Sequence, residues 1–103
     1  MNKKKTPKHT NGHSPKKIRI EFKHPTATEV AIAGTFNDWR PDATFMIRVP
    51  DGRWFKDLTL APGKYEYRIV VDGSWIADPG ATETAANPFG EVNSVLKVDP
   101  AAS

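Results

Sequence analysis

The amino-acid sequence predicts an all-β domain, an immunoglobulin-like β-sandwich with about seven strands. Three observations predict it. Apolar residues from Ile18 onward recur at every second position, turn-forming residues punctuate the chain at intervals of about 8 to 12 residues, and no stretch carries a helical period. No internal repeat interrupts this pattern.

The elements follow in order. Ile18, Ile20 and Phe22 alternate with Arg19 and Glu21 and read as the first strand; Val30, Ile32 and Phe36 fall in a second; Phe45 to Val49 form a third, whose inward face stays open. Asp51-Gly52 makes a hairpin turn. Trp54, Leu58 and Leu60 follow, with Lys56 interrupting, and Pro62-Gly63 turns the chain into Tyr65, Tyr67, Ile69 and Val71, the cleanest alternation present. Asp72-Gly73 is a second hairpin signal, and a last strand runs from about Asn93 to Val98.

The chain has 103 residues, 38% of them hydrophobic, which suits one small domain with a modest core. It contains no cysteine, so neither disulfides nor thiolate metal sites hold it together. The basic N-terminus is not followed by an apolar segment of about 7 to 15 residues, and no run is long enough to span a bilayer, so the expected location is cytoplasmic with no membrane partner.

Charge is divided unevenly. Residues 1 to 17 hold six of the fifteen basic side chains (Lys3, Lys4, Lys5, Lys8, Lys16, Lys17) and no acid, which leaves nine basic against twelve acidic residues beyond them. Residues 1–17 are expected to be a disordered basic tail and residues 18–103 the sandwich. A lysine-rich tail can touch nucleic acid or an acidic partner, but its ordinary role is to keep a chain solvated.

Trp39 closes GTFNDW and Trp75 closes VVDGSW, each beside turn residues rather than within an apolar run. As a two-residue type I′ loop, Asp72-Gly73 places Val71 opposite Ser74 and Val70 opposite Trp75. Continuing the register pairs Arg68 with Ala77, which makes Arg68 and Trp75 diagonal neighbours about 7 to 8 Å apart, on the face opposite Tyr67, Ile69 and Val71. An outward indole beside an outward guanidinium suits a sugar: the ring's C–H face packs on the aromatic plane and the fork of donors meets the hydroxyls. The other reading is an edge tryptophan covered by a loop, and spacing does not separate the two.

The segments VAIAGTFNDW, LAPGKYEYRIVVDGSW and NPFGEVNSVLKV, in this order and spacing, resemble carbohydrate-binding module family 48 over about residues 18 to 99. The family includes the glycogen-binding domain of AMP-activated kinase β subunits and the early-set domain of glycogen-branching and debranching enzymes. The resemblance implies an α-1,4-glucan site in which Trp39 and Trp75 stack on glucose units. Arg68 falls where the kinase-type module has lysine; both donate hydrogen bonds, but arginine presents a planar fork rather than a point charge. Phe89 takes the place of an aliphatic residue that reaches through the sugar coil, and Asn93 matches the family's asparagine, whose amide can donate and accept at once. Glu91 stands where threonine is usual, and a carboxylate there is costly to desolvate unless paired.

Other readings of these residues stay open. Trp54 alternates with Leu58 and Leu60 and reads as core; Phe89 after Pro88 could cap the end of the sandwich, and Asn93 could satisfy a turn through its own backbone.

Catalysis has little support. A glycosidase needs two carboxylates held roughly 5 to 9.5 Å apart across a cleft, and no acid pair is distinguished here. His9 and His13 flank Asn11-Gly12, where no helix would align them, and His24 beside Pro25 reads as a loop residue, so no metal site is expected. No phosphate loop or activated serine pattern occurs, and no cofactor is expected. The expected function is non-catalytic binding of glycogen, starch or malto-oligosaccharide. The alternative is a protein-interaction module that docks a glucan-metabolising enzyme after losing its sugar site, and nucleic-acid binding through the tail is the weakest of the three.

Overall fold

A computed structural model describes residues 14–100, so the expected tail lies outside the described residues as far as His13. Among the described residues the chain forms eight strands: β1 (Lys16–Lys23), β2 (Val30–Gly34), β3 (Ile47–Val49), β4 (Arg53–Leu60), β5 (Gly63–Val71), β6 (Ser74–Ile76), β7 (Thr84–Ala86) and β8 (Val92–Val98). A three-stranded sheet runs in the order β1-β4-β3; a five-stranded one runs β2-β5-β8-β7, with β6 pairing the upper part of β5. All the pairings are antiparallel. The two sheets pack as the sandwich that the alternating pattern demands.

Between them lies the core. Ile20 and Phe22 of β1, Trp54 and Leu58 of β4, Val30 and Ile32 of β2 and Tyr67, Ile69 and Val71 of β5 form one buried cluster, with Met46 and Ala27 at its margin. Trp54 is core, as its alternation indicates. Tyr67 brings a hydroxyl into this cluster, and Asp78 Oδ2 accepts its proton at 2.6 Å. Asp78 is itself fastened, its backbone N–H donating to Ser94 Oγ at 2.8 Å and its Oδ1 accepting from Gly80 N at 2.9 Å. A buried polar group satisfied in this way rigidifies instead of destabilising.

Four local expectations change. The first strand starts at Lys16, not Ile18, because Lys16 and Lys17 pair with Leu60 and Thr59, so the tail boundary at residue 17 cuts through the sheet. The second strand ends at Gly34, and Phe36 lies in a 3₁₀ turn over Thr35–Asn37. Asn37 causes the break: its Oδ1 accepts from Gly34 N at 3.0 Å, while its Nδ2 donates to Ile32 O at 2.9 Å and Thr44 Oγ1 at 3.1 Å. The third strand covers only Ile47–Val49 rather than Phe45 to Val49; just before it Met46 is buried and Phe45 is exposed. Finally, β7 adds a strand that the alternation does not announce, since TAA has no period to read and is held only by the ladder to β8.

Every residue of β2 is buried, on both faces. Val30 and Ile32 face the core, whereas Ala31 and Ala33 join Val70 in a second small cluster on the outer face of the five-stranded sheet. Small side chains there leave a shallow floor, and Trp39 packs onto it.

Candidate carbohydrate-binding site

The site is built on that outer face. The expected hairpin register is present, with Val71 opposite Ser74 and Val70 opposite Trp75. Asp72 (φ 48°) and Gly73 (φ 87°) both occupy the left-handed region that a type I′ turn requires. Asp72 also ties the hairpin down, because its carboxylate accepts from the backbone N–H groups of Thr28 and Glu29. Trp75 is thereby set on a stiff ribbon, 38% exposed.

Arg68 lies one outward position further along β5 and reaches back to Trp75. Its Nη2 donates to the Trp75 carbonyl at 3.1 Å and its Nη1 to Glu91 Oε1 at 2.5 Å. Its side chain is only 14% exposed, and its Nε has no hydrogen-bond partner among the described residues. The guanidinium is therefore held in one plane against the indole strand rather than sweeping through solvent. The carboxylate at position 91, costly if left alone, is paired.

Trp39 arrives from the other side. The chain leaves the 3₁₀ turn through Asp38 (φ 59°) and Trp39 (φ 58°), two consecutive non-glycine residues in the left-handed region. That conformation is strained for a bulky side chain, at a cost of order 1 kcal/mol or more. It persists because Trp39 N donates to Gly34 O at 2.9 Å and the ring packs on Ala31, Ala33 and Val70.

Asn93 and Phe89 come from the last loop and β8. Asn93 is buried and serves no turn through its own backbone; its Nδ2 donates to Glu66 Oε1 at 3.0 Å and its Oδ1 accepts from Asn87 Nδ2 at 3.2 Å. Asn87 in turn organises the loop, its Oδ1 accepting from Phe89 N at 2.9 Å and Glu91 N at 3.1 Å, and Gly90 (φ 82°) completes the bend. Phe89 does not cap the sandwich. It stands at the loop tip, 89% exposed.

Trp39, Arg68, Trp75, Phe89 and Asn93 all line one cavity of about 510 Å³. Thr35, Glu66, Asn87 and Pro88 complete its wall. Glu66 had a signal in the sequence, since it shares the outward positions of β5 with Arg68; Asn87 had only the Asn-Pro pair, which announces a turn but not its contacts. The cavity combines flat aromatic faces, a fixed guanidinium and a primary amide, and the Glu66 carboxylate in its wall already accepts from Asn93. Such a surface is chemically suited to a neutral ligand with an apolar face and a rim of hydroxyls. Among the described residues no group of His, Cys, Asp and Glu side chains could hold a metal ion.

Residues 16–103 match the family model described as the glycogen recognition site of AMP-activated protein kinase. The phosphoglucan phosphatase DSP4, amyloplastic, of Castanea sativa is 31% identical over 83 residues, covering 81% of this chain and 22% of its own. The 5'-AMP-activated protein kinase subunit beta-1 of Sus scrofa is 29% identical over 70 residues, covering 68% of this chain and 54% of its own. The chain thus spans less than two thirds of either relative. Among solved structures, the maltogenic amylase from S. marinus superposes with a TM-score of 0.72 at 18% identity over 86% of this chain and 14% of the amylase, a likeness of fold. The fold, the outer-face cavity and the family match converge: the chain belongs to carbohydrate-binding module family 48, the family of the glycogen recognition site of AMP-activated protein kinase.

Proposed function

We propose that this chain binds α-1,4-glucan in the outer-face cavity and carries out no chemistry on it. Trp39 and Trp75 stack on glucose rings, Arg68 and Asn93 exchange hydrogen bonds with hydroxyls, and Phe89 closes over the ligand from the loop tip. The observation that carries the reading is the convergence of these five side chains, which come from three separate parts of the chain, on one cavity. The non-catalytic part rests on the carboxylates at the site. Glu66 accepts from Asn93 and Glu91 from Arg68, so each is engaged in holding a binding residue.

A few stacking contacts, offset by ligand ordering and desolvation, give a Kd of roughly micromolar to millimolar, about −8 to −4 kcal/mol. Titration with maltoheptaose followed by tryptophan fluorescence should give a saturable change, and Trp75→Ala should abolish it while leaving the far-ultraviolet spectrum intact. A flat response from the unaltered protein would overturn the proposal. That result would favour docking to a glucan-metabolising enzyme, for which the half-exposed Ile47 beside Phe55 on the other sheet offers an apolar contact.

A further inference from the structure

The face that carries the cavity holds one more exposed aromatic ring, which the site above does not use. Phe45 forms an isolated antiparallel bridge with Ala31. The flanking hydrogen bonds run from Ile32 N to Thr44 O at 2.9 Å and from Met46 N to Val30 O at 2.8 Å. This arrangement makes Ala31 and Phe45 a close, non-hydrogen-bonded pair whose side chains share a face. Met46, the next residue, is buried toward the core.

The ladder continues from there. Ala31 is opposite Val70, and Val70 is opposite Trp75. One row across four backbone segments therefore reads Phe45, Ala31, Val70, Trp75. Its two middle members are buried beneath Trp39, while its ends are aromatic and exposed by 42% and 38%. Three strand spacings separate those ends, about 14 Å. Phe45 lies beyond β2, on the side of the row away from β6 and its Trp75.

Both rings on the β2 side are presented by one loop. It runs from Thr35 to Met46, carries Trp39 and Phe45, and is pinned by Asn37, whose Nδ2 spans Ile32 O and Thr44 Oγ1 immediately before Phe45. The backbone on both sides of Phe45 is thus tied to β2, which lowers the ordering cost of a ligand that touches its ring.

We infer that Phe45 is an additional stacking position for the same glucan, engaged only by chains long enough to pass over Trp39 from the cavity; the inference rests on the glucan reading given above. A short oligosaccharide fills the cavity between Trp75, Arg68 and Phe89. A longer one continues along the row and covers Phe45. The occupant is assigned as glucan because the ring is continuous with the site, in register with Trp75 and separated from it only by the floor on which Trp39 sits.

Calorimetric titration of the full chain with maltotriose and with maltodecaose tests this. Phe45→Ala should weaken maltodecaose binding about three- to tenfold, the range for one lost aromatic contact, and leave maltotriose binding unchanged. Phe45→Leu keeps apolar bulk but removes the flat ring, and should behave like Phe45→Ala; Phe45→Tyr should restore the original affinity. Equal losses for both oligosaccharides in variants of unchanged melting temperature, or no loss for either, would overturn the assignment of Phe45 while leaving the cavity intact. If the unaltered protein bound neither sugar, the glucan reading itself would fall, and this inference with it.

Discussion

Arg68 shows how much a single residue depends on its neighbours. Its position beside Trp75 follows from a two-residue turn and strand alternation, both of which are local properties of the chain. Its orientation is not local, because it is set by Glu91, 23 residues away in sequence and brought close only by the folding of the last loop. Glu91 is half exposed, so the pair contributes little to global stability. Glu91→Ala should therefore shift the melting temperature by no more than a few degrees. It should weaken maltoheptaose binding by about three- to tenfold by letting the guanidinium wander. An affinity equal to the original would show that Arg68 needs no partner to hold its plane.

Tyr67 is a second case at this scale. Burial pushes its hydroxyl well above the ordinary tyrosine range, and the hydrogen bond to Asp78 adds to the rise. The folded protein thus keeps this proton at a pH where the unfolded chain has lost it. Its contribution to stability is complete below about pH 10 and declines above it, by up to about 1.4 kcal/mol per pH unit. Tyr67→Phe should lower stability at neutral pH, since Asp78 loses its donor, and should flatten the alkaline limb by about one proton. Urea denaturation at several pH values between about 8 and 11 measures both effects, and parallel limbs would refute the assignment.

At the scale of elements, the segment after β2 matters most. Gly34 is extended (φ −163°), so it is not there for backbone freedom. It is there for space: a Cβ would come within 2.6 Å of the Glu66 carbonyl and 2.8 Å of Tyr67 Cβ. Gly34→Ala should destabilise the protein by about 1 to 3 kcal/mol through overpacking. It should also move Trp39, whose backbone N–H hangs on the Gly34 carbonyl. Chemical denaturation tests the first effect, and sugar titration the second. The hydrophobic pattern extends the strand into Phe36, because VAIAGTF is apolar enough to continue. What ends it is the amide of Asn37 competing for backbone groups, a local choice that hydrophobic periodicity does not record. The same limitation hides β7, an edge strand defined by its partner rather than by its own residues.

At the scale of the whole molecule, the excess of basic side chains belongs to the first 17 residues of the sequence. The basic side chains before Ile18 outnumber the acids there by six, yet the cavity wall is made of aromatic, amide, hydroxyl and proline groups and the paired Glu66 and Arg68. Maltoheptaose affinity should accordingly change by less than about twofold between about 50 mM and 500 mM NaCl, in contrast to the steep loss expected of phosphate binding. Removing residues 1–13 should leave it unchanged as well. A deletion extended to residue 17 is a different experiment, because Lys16 and Lys17 pair with β4 and their loss shortens the sheet.

The chain's own residues determined the all-β class, the register of the β5–β6 hairpin and the outward placing of Arg68 beside Trp75. Alternation, turn chemistry and motif spacing act over a few residues, wherever those residues are. Tertiary structure alone decided that Glu91 holds Arg68, that Asn87 and Glu66 brace Asn93, that Phe89 stands free and that Phe45 joins the row of Trp75. Each of these joins residues from different strands or loops, and such contacts exist only once the two sheets have closed on their core.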